Sequence, residues 1–197
     1  MIALEETGIA YAAMPVILAN GEQLTDAYRK LNPKGKVPAL RVGDHILTET
    51  IAILDYLAKL YPKAALLPIG DPLVEATALA TLAWCASGLH PLVTRLRLPQ
   101  KFCDHPGTAD RVRELARNEL AAQLGIADER PAHQDWLPGR HWSIADTYLA
   151  WVWGRCVPNR VSIREAIRNW SGTTSGPWPA PLRPVQYSAR KIPSARP

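Results

Sequence analysis

Two short runs of strand-forming residues, Val37 to Val42 and His45 to Thr48, flank Gly43-Asp44, and a helical repeat begins almost at once after them. Gly-Asp between such runs predicts a tight hairpin turn. Thr50 is then the expected cap of a helix in which Ile51, Leu54, Leu57, Ala58 and Tyr61 recur at helical spacing, and Pro62 ends it. A hairpin feeding a helix commits this stretch to an α/β arrangement. Upstream, Tyr11 to Leu18 reads as a further strand, with Pro15 suggesting an edge position or a bulge, and Gln23 to Leu31 suits a short helix.

Beyond Tyr61 the periodicity changes. Three prolines and Gly70 interrupt residues 61–72, and from Leu73 onward the pattern is helical throughout. Leu73 to Arg97 reads as one long helix with a kink near Gly88 and Pro91, Ala109 to Leu124 as a second, and a third begins at Ser143. The organisation expected is an α/β domain over 1–61, a linker over 62–72, an all-helical domain over 73–155 and an atypical tail over 156–197. From Arg155 onward, 43 residues hold seven prolines, seven arginines and five serines. Within them, Ser162 to Trp170 carries a capping-box pattern and one apolar face, too short to be stable alone. The prolines after it favour extended, disordered chain.

Charge and cysteine narrow the function classes. The net charge is +5, but residues 155–197 carry eight basic residues against Glu165, a balance of +7, which leaves −2 for residues 1–154. Basicity belongs to the tail, so a nucleic-acid face on the folded part is not expected. Cys85, Cys103 and Cys156 form no C-x-x-C pair and read as buried or incidental thiols of a reducing compartment. No apolar run approaches the roughly 18 residues of a membrane span. Acids at Glu5 and Glu6 stand where a signal peptide needs a basic and then an apolar region. The expectation is a soluble, cytoplasmic protein.

Two motifs carry chemistry. A proline between loop and strand, as at Val37-Pro38, can adopt the cis bond and leave the N–H and C=O of Val37 open to pair with an extended peptide. In Thr48-Glu49-Thr50 the helix begins at Thr50, whose amide and hydroxyl sit at the positive end of the helix dipole, a place for a carboxylate. Glu49 beside it can pair with an ammonium. On spacing alone this is equally an ordinary N-cap with a solvated acid.

N-P-x-G-x-V-P-A-L at residues 32–40, followed by T-E-T-I-A-I-L-D-Y-L at 48–57, resembles the thioredoxin-like domain of cytosolic glutathione transferases. The resemblance implies that Pro38 is cis, that Val37 bonds the cysteinyl part of glutathione through its backbone, and that Glu49 and Thr50 grip the γ-glutamyl group. In the helical half, Trp136-Leu137-Pro138-Gly139 and the following Ser143-Ile144-Ala145-Asp146 are similar to the same family's second domain. Ser143 at N-cap and Asp146 at N3 form an acidic variant of the capping box, a structural motif. Trp84 to Pro91 resembles the first long helix of that domain in bacterial, beta-class-like members, where a histidine in the place of His90 faces the glutathione cleft. Packing within the helix is the other reading of His90. His45, His105, His133 and His141 show no ligand spacing, so no metal site is expected.

The departures matter as much. The family begins with a strand, a loop and a helix, and its thiolate-activating Tyr, Ser or Cys lies there. Leu4 to Gly8 matches the end of that helix, so roughly a dozen residues, a strand and a turn, are expected ahead of Met1. The sequence accordingly supplies no catalytic residue of that kind, and a first domain destabilised by unpaired strand edges is expected. The match ends near Arg155, where a frameshift or gene-end rearrangement would account for the tail. The activity implied is addition of the glutathione thiol to an electrophile or its exchange with a disulfide, with glutathione as substrate, no metal, and a homodimer as the family's usual assembly. The alternative is a non-catalytic binding or relic module of the same fold.

Overall fold

The computed structural model describes residues 1–128, 136 and 141–156. The Pro/Arg-rich tail expected beyond the helical part, with its short helix, lies outside the described residues, apart from Cys156.

The order begins with helix α1 (Ile2–Thr7), two 3-10 turns (Leu18–Asn20 and Glu22–Leu24) and α2 (Asp26–Leu31). Strands β1 (Ala39–Val42) and β2 (His45–Thr48) follow, then α3 (Thr50–Leu60). The strands form one antiparallel pair, with Ala39 opposite Thr48, Leu40 opposite Leu47 and Val42 opposite His45. That register leaves a two-residue turn whose Gly43 has φ +57°, as the first central position of a II′-type hairpin requires. A lone hairpin is marginal in water. Here Leu40 and Leu47 lean on the core that α3 makes with Ile53, Leu54, Leu57 and Ala58, joined by Ala3 of α1. Those four α3 residues fall on one helix face, and Asp55 to Lys59 forms an i,i+4 pair at 2.8 Å on the other.

Three local expectations are corrected. Tyr11 to Leu18 forms no strand: residues 9–17 have no regular structure, and β1 and β2 pair only with each other among the described residues. A strand exists only with a ladder partner, and Pro15 removes a donor besides. The helix expected over 23–31 is split, because Thr25 is extended at ψ 151° and caps α2 by accepting from the Tyr28 amide at 3.3 Å. The cap position of α3 is Glu49, not Thr50, which is the first helical residue.

Residues 61–72 are no solvent-spanning tether. They hold a 3-10 turn (Pro62–Ala64), and Leu66 and Leu67 are buried in the core beneath α3. Then comes a continuous helix of 26 residues, Pro72–Arg97, long and apolar enough by length and composition to cross a membrane. This corrects the reading that no run approaches a span. In the fold its Ala78, Leu82, Cys85, Leu89, Val93 and Leu96 enter the protein cores. It divides into α4 (Pro72–Ala83), a π-helical turn (Trp84–Leu89) and α5 (His90–Arg97). The expected kink region thus appears as a change of hydrogen-bond register. Pro91 cannot donate to the carbonyl four residues back and its ring crowds that carbonyl, so the His90 amide reaches back to the Cys85 carbonyl, five residues away. At Gly88 a Cβ would stand 3.1 Å from Trp84 Cδ1, so glycine leaves room for an indole whose Nε1 donates to Gln123 Oε1 at 2.9 Å.

After a 3-10 turn (Pro99–Lys101), α6 (Thr108–Asp128) and α7 (Ile144–Cys156) complete the helical core. Cys85, Leu89, Val93 and Leu96 pack there against Ala116, Leu120, Leu124 and Ala127 of α6 and Leu149, Val152 and Cys156 of α7. The start of α7 is anchored by polar contacts in a buried place. Asp146 Oδ2 accepts from the Ser143 amide at 2.9 Å and from Ser143 Oγ at 3.1 Å, and Ser143 Oγ accepts from the Ala145 amide at 3.2 Å. The Ile144 amide donates to the Leu66 carbonyl at 2.8 Å. Removing the carboxylate leaves two buried donors without their acceptor. Asp146→Ala is therefore expected to lower unfolding free energy by about 3 kcal/mol, read as a shift of the urea midpoint at unchanged m-value.

Candidate binding site

The loop between α2 and β1 is built by side chains. Asn32, 2% exposed, donates from Nδ2 to the Lys36 carbonyl at 2.6 Å and accepts at Oδ1 from the Lys34 amide at 3.2 Å. Tyr28 OH donates to the same carbonyl at 2.8 Å. Gly35 turns the chain at φ +61°, and a Cβ there would lie 3.1 Å from both the Gln23 carbonyl oxygen and Leu24 Cδ2. These contacts fix residues 32–36 and deliver the Val37-Pro38 bond, which is cis. Val37 is 42% exposed, and among the described residues neither its N–H nor its C=O has a protein partner.

The hairpin register carries the second element to the same end. Ala39 lies opposite Thr48, so Val37-Pro38 and Glu49 stand together where the strands begin and end. Glu49 has φ +71° and ψ 121°, a conformation that costs a non-glycine residue about 1–3 kcal/mol. It gives α3 no side-chain cap, so the first amides of α3 face outward with the positive end of the helix dipole. Lys34 joins the two elements: its Nζ pairs with the Glu49 carboxylate and donates to Thr48 Oγ1 at 3.3 Å. The Lys34 hydrogen bond, then its charge, holds the Glu49 carboxyl below its ordinary pKa.

His90 stands half-buried at the start of α5. Its Nδ1 is 2.9 Å from Tyr148 OH, and its ring lies against Trp151, with centroids 4.5 Å apart. Arg155 sits over the other ring of that stack, 5.4 Å from the Trp151 centroid. Burial lowers the His90 pKa, and the charges of Arg155 and Lys36 lower it further. Lys36 belongs to the loop that carries Val37, so the histidine and the cis-proline loop share one electrostatic environment.

The expected residues thus fall into two groups. Val37, Pro38, Glu49 and Thr50 gather at one end of the hairpin, with His90 on the helical side, while Ser143 and Asp146 stay apart as the start of α7. Sequence reasoning missed Asn32, Lys34, Gly35 and Tyr148. Asn-Pro followed by Gly was a readable signal for the first and third, since Asn32 closes an Asx turn on Lys34. The pairing of Lys34 with Glu49 and of Tyr148 with His90 spans 15 and 58 positions, beyond any local pattern. Burial pushes the thiols of Cys85 and Cys156 up to about 12 and about 11, so neither is a ready nucleophile. Among the described residues no three His, Cys, Asp or Glu side chains gather as a metal site would need.

The N-terminal domain of glutathione S-transferases matches residues 1–60. Over 153 residues the chain is 33% identical to a maleylacetoacetate isomerase of Pseudomonas aeruginosa, covering 75% of this chain and 70% of that protein. It is 31% identical over 150 residues to the glutathione S-transferase GstA of Escherichia coli O157:H7, covering 75% and 71%. A glutathione transferase homologue from Sulfitobacter, solved with bound glutathione, superposes with a TM-score of 0.75 at 29% identity, over 89% of this chain and 86% of that one. The bacterial beta class enzyme of Sphingomonas chungbukensis gives 0.71 at 33% identity, over 87% and 82%. The chain belongs to the cytosolic glutathione S-transferase family. Its fold is the one that family shares, a thioredoxin-like α/β part, with two strands among the described residues, followed by a helical part.

The histidine yields a pH prediction. The unfolded chain takes up a proton at His90 near the ordinary value of 6.5, while the folded chain takes it up only at lower pH. The unfolded state therefore binds more protons in that window, and stability falls as pH drops below 6.5. In urea titrations from pH 7 to pH 5, His90→Gln is expected to flatten this part of the decline; an unchanged slope would contradict the assigned environment.

Proposed function

We propose that this chain binds glutathione at the junction of the 32–38 loop, the hairpin and α3. The exposed main chain of Val37, without a partner among the described residues and beside an uncapped helix start, carries this reading. The N–H and C=O of Val37 pair with the cysteinyl residue as an added strand. Glu49 takes the γ-glutamyl ammonium, and the Thr50 end of α3 takes the neighbouring carboxylate. His90 borders the same cleft from the helical side. The neighbour from Sulfitobacter, solved with glutathione, supports the ligand.

In a catalytic chain of this kind the thiol is deprotonated and attacks an electrophile, a disulfide or, as the name of the Pseudomonas relative suggests, an isomerisable double bond. A thiolate-activating group is then required. The buried thiols and the Tyr148 phenol are all pushed toward their neutral forms, Tyr148 to about 12. The second reading is a glutathione-binding module without turnover. Three free cysteines suit a cytoplasmic setting. Exposed Leu60, Ile69, Leu73 and Val74 along residues 60–74 offer an apolar surface to a second copy.

Calorimetric titration with glutathione tests the ligand. Glu49→Gln is expected to weaken binding about ten-fold, the scale of one charge-assisted hydrogen bond, and equal affinity would overturn the placement. Conjugation of a chloronitrobenzene by the same preparation separates enzyme from module: turnover above the uncatalysed rate selects the former.

A further inference from the structure

We infer that Tyr148 is a positioning residue whose hydroxyl donates to His90 Nδ1 and thereby fixes the Nε2–H of that imidazole as the donor offered to glutathione. The inference rests on the glutathione-binding reading above and adds to it the residue that decides what His90 presents.

The assignment follows from counting donors and acceptors. Tyr148 OH and His90 Nδ1 are 2.9 Å apart, the one hydrogen bond of either side chain among the described residues. One of two arrangements holds: the phenol donates to an unprotonated Nδ1, or an Nδ1–H donates to the phenol oxygen. In the second, the phenolic hydrogen of the half-buried tyrosine has no acceptor among the described residues and must turn to solvent. In the first, both groups are satisfied. Burial, with the nearby Cys85 adding to it, keeps the phenol protonated and so able to donate, while burial with Arg155 and Lys36 favours the neutral imidazole, in which one ring nitrogen is an acceptor.

The remaining nitrogen is then N–H. Among the described residues Nε2 of His90 has no partner, and it is absent from their buried unsatisfied polar atoms, which are Gln23 Oε1 and Arg117 Nε. It is therefore an accessible donor. Trp151 lies against the ring face and Tyr148 meets its edge, with interplanar angles of 46° and 86°. A flip of the ring would put Cδ2 where Nδ1 stands and lose the hydrogen bond to Tyr148. Tyr148 and Trp151 both stand on α7, three residues apart, which places them on one helix face. The charged groups facing His90 are Arg155 from α7 and Lys36 from the loop. Both favour the neutral imidazole, and both favour an acceptor of negative charge as the ligand group that meets Nε2–H.

Two measurements on the full chain test this. Long-range proton–nitrogen correlation spectra of histidine-labelled protein without ligand are expected to show His90 as the Nε2–H tautomer alone. In Tyr148→Phe the same spectra should show a mixture, at an unchanged melting profile. Protonated Nδ1 in the wild type overturns the inference. Glutathione titrations form the second test. Tyr148→Phe is expected to weaken binding about five-fold, but to change nothing in a His90→Gln background, where the amide supplies a donor near the Nε2 position without help from Tyr148. An equal loss in both backgrounds assigns Tyr148 a merely structural role. A wild type that fails to bind glutathione refutes the reading under Proposed function, and the ligand-free tautomer then decides the pairing by itself.

Discussion

The buried start of α7 is the contact on which the arrangement of the two halves depends. Asp146 is 3% exposed and Ser143 1%, in a place where an unpaired carboxylate would be costly. Its oxygen is instead held by the Ser143 amide and hydroxyl, and the adjacent Ile144 amide is held by the Leu66 carbonyl. One helical turn thus ties the linker to the helical part. Its side chains divide between the two cores: Ile144 and Ala145 enter the one under α3, Leu149, Val152 and Cys156 the one between α5 and α6. Tyr148 leans on both. Rotation or fraying at this turn would shift Tyr148 and, through it, His90 against the 32–38 loop.

The 32–38 loop is held differently. A two-stranded sheet gives little rigidity, yet the main chain at Val37 is defined. The reason is that the loop is fixed by its own side chains and not by the sheet. The Lys36 carbonyl takes hydrogen bonds from Asn32 and Tyr28, and the close packing at Gly35 sets the turn. A binding edge built this way depends on α2 and on a few buried polar atoms. Its geometry is therefore partly independent of how many strands stand beside β1.

What was legible in the sequence follows from the range of the interactions involved. The hairpin, α3, the Pro91 perturbation and the Ser143/Asp146 pattern are set by residues within one or two turns of each other, so composition and spacing reveal them. Tyr11 to Leu18 has the composition of a strand but not the neighbour, and pairing is a property of two segments. Glu49 at φ +71° was invisible for a different reason. Acidic residues before a helix are ordinary N-caps, and nothing in Thr-Glu-Thr says that the cap is absent and the backbone turned out. The site's charged connections, Lys34 to Glu49 and Lys36 toward His90, arise only once the loop has folded back on the hairpin.

That folding back has a consequence for binding. Lys34 pairs with Glu49, so under the proposed binding mode an incoming ammonium would displace a cation or share its carboxylate. Both partners of the pair are more than half exposed. Exposed ion pairs are worth about 0–1 kcal/mol, because water already screens the charges and the side chains lose freedom in pairing. Exchanging Lys34 for the ligand therefore costs little. A lysine so displaced would stay beside Thr48 and the uncapped end of α3, where its charge would add to the helix dipole near the proposed carboxylate position. Under that proposal the strained Glu49 backbone and the lysine act together: the first keeps the amides open, and the second shields the acid until the ligand's ammonium replaces it.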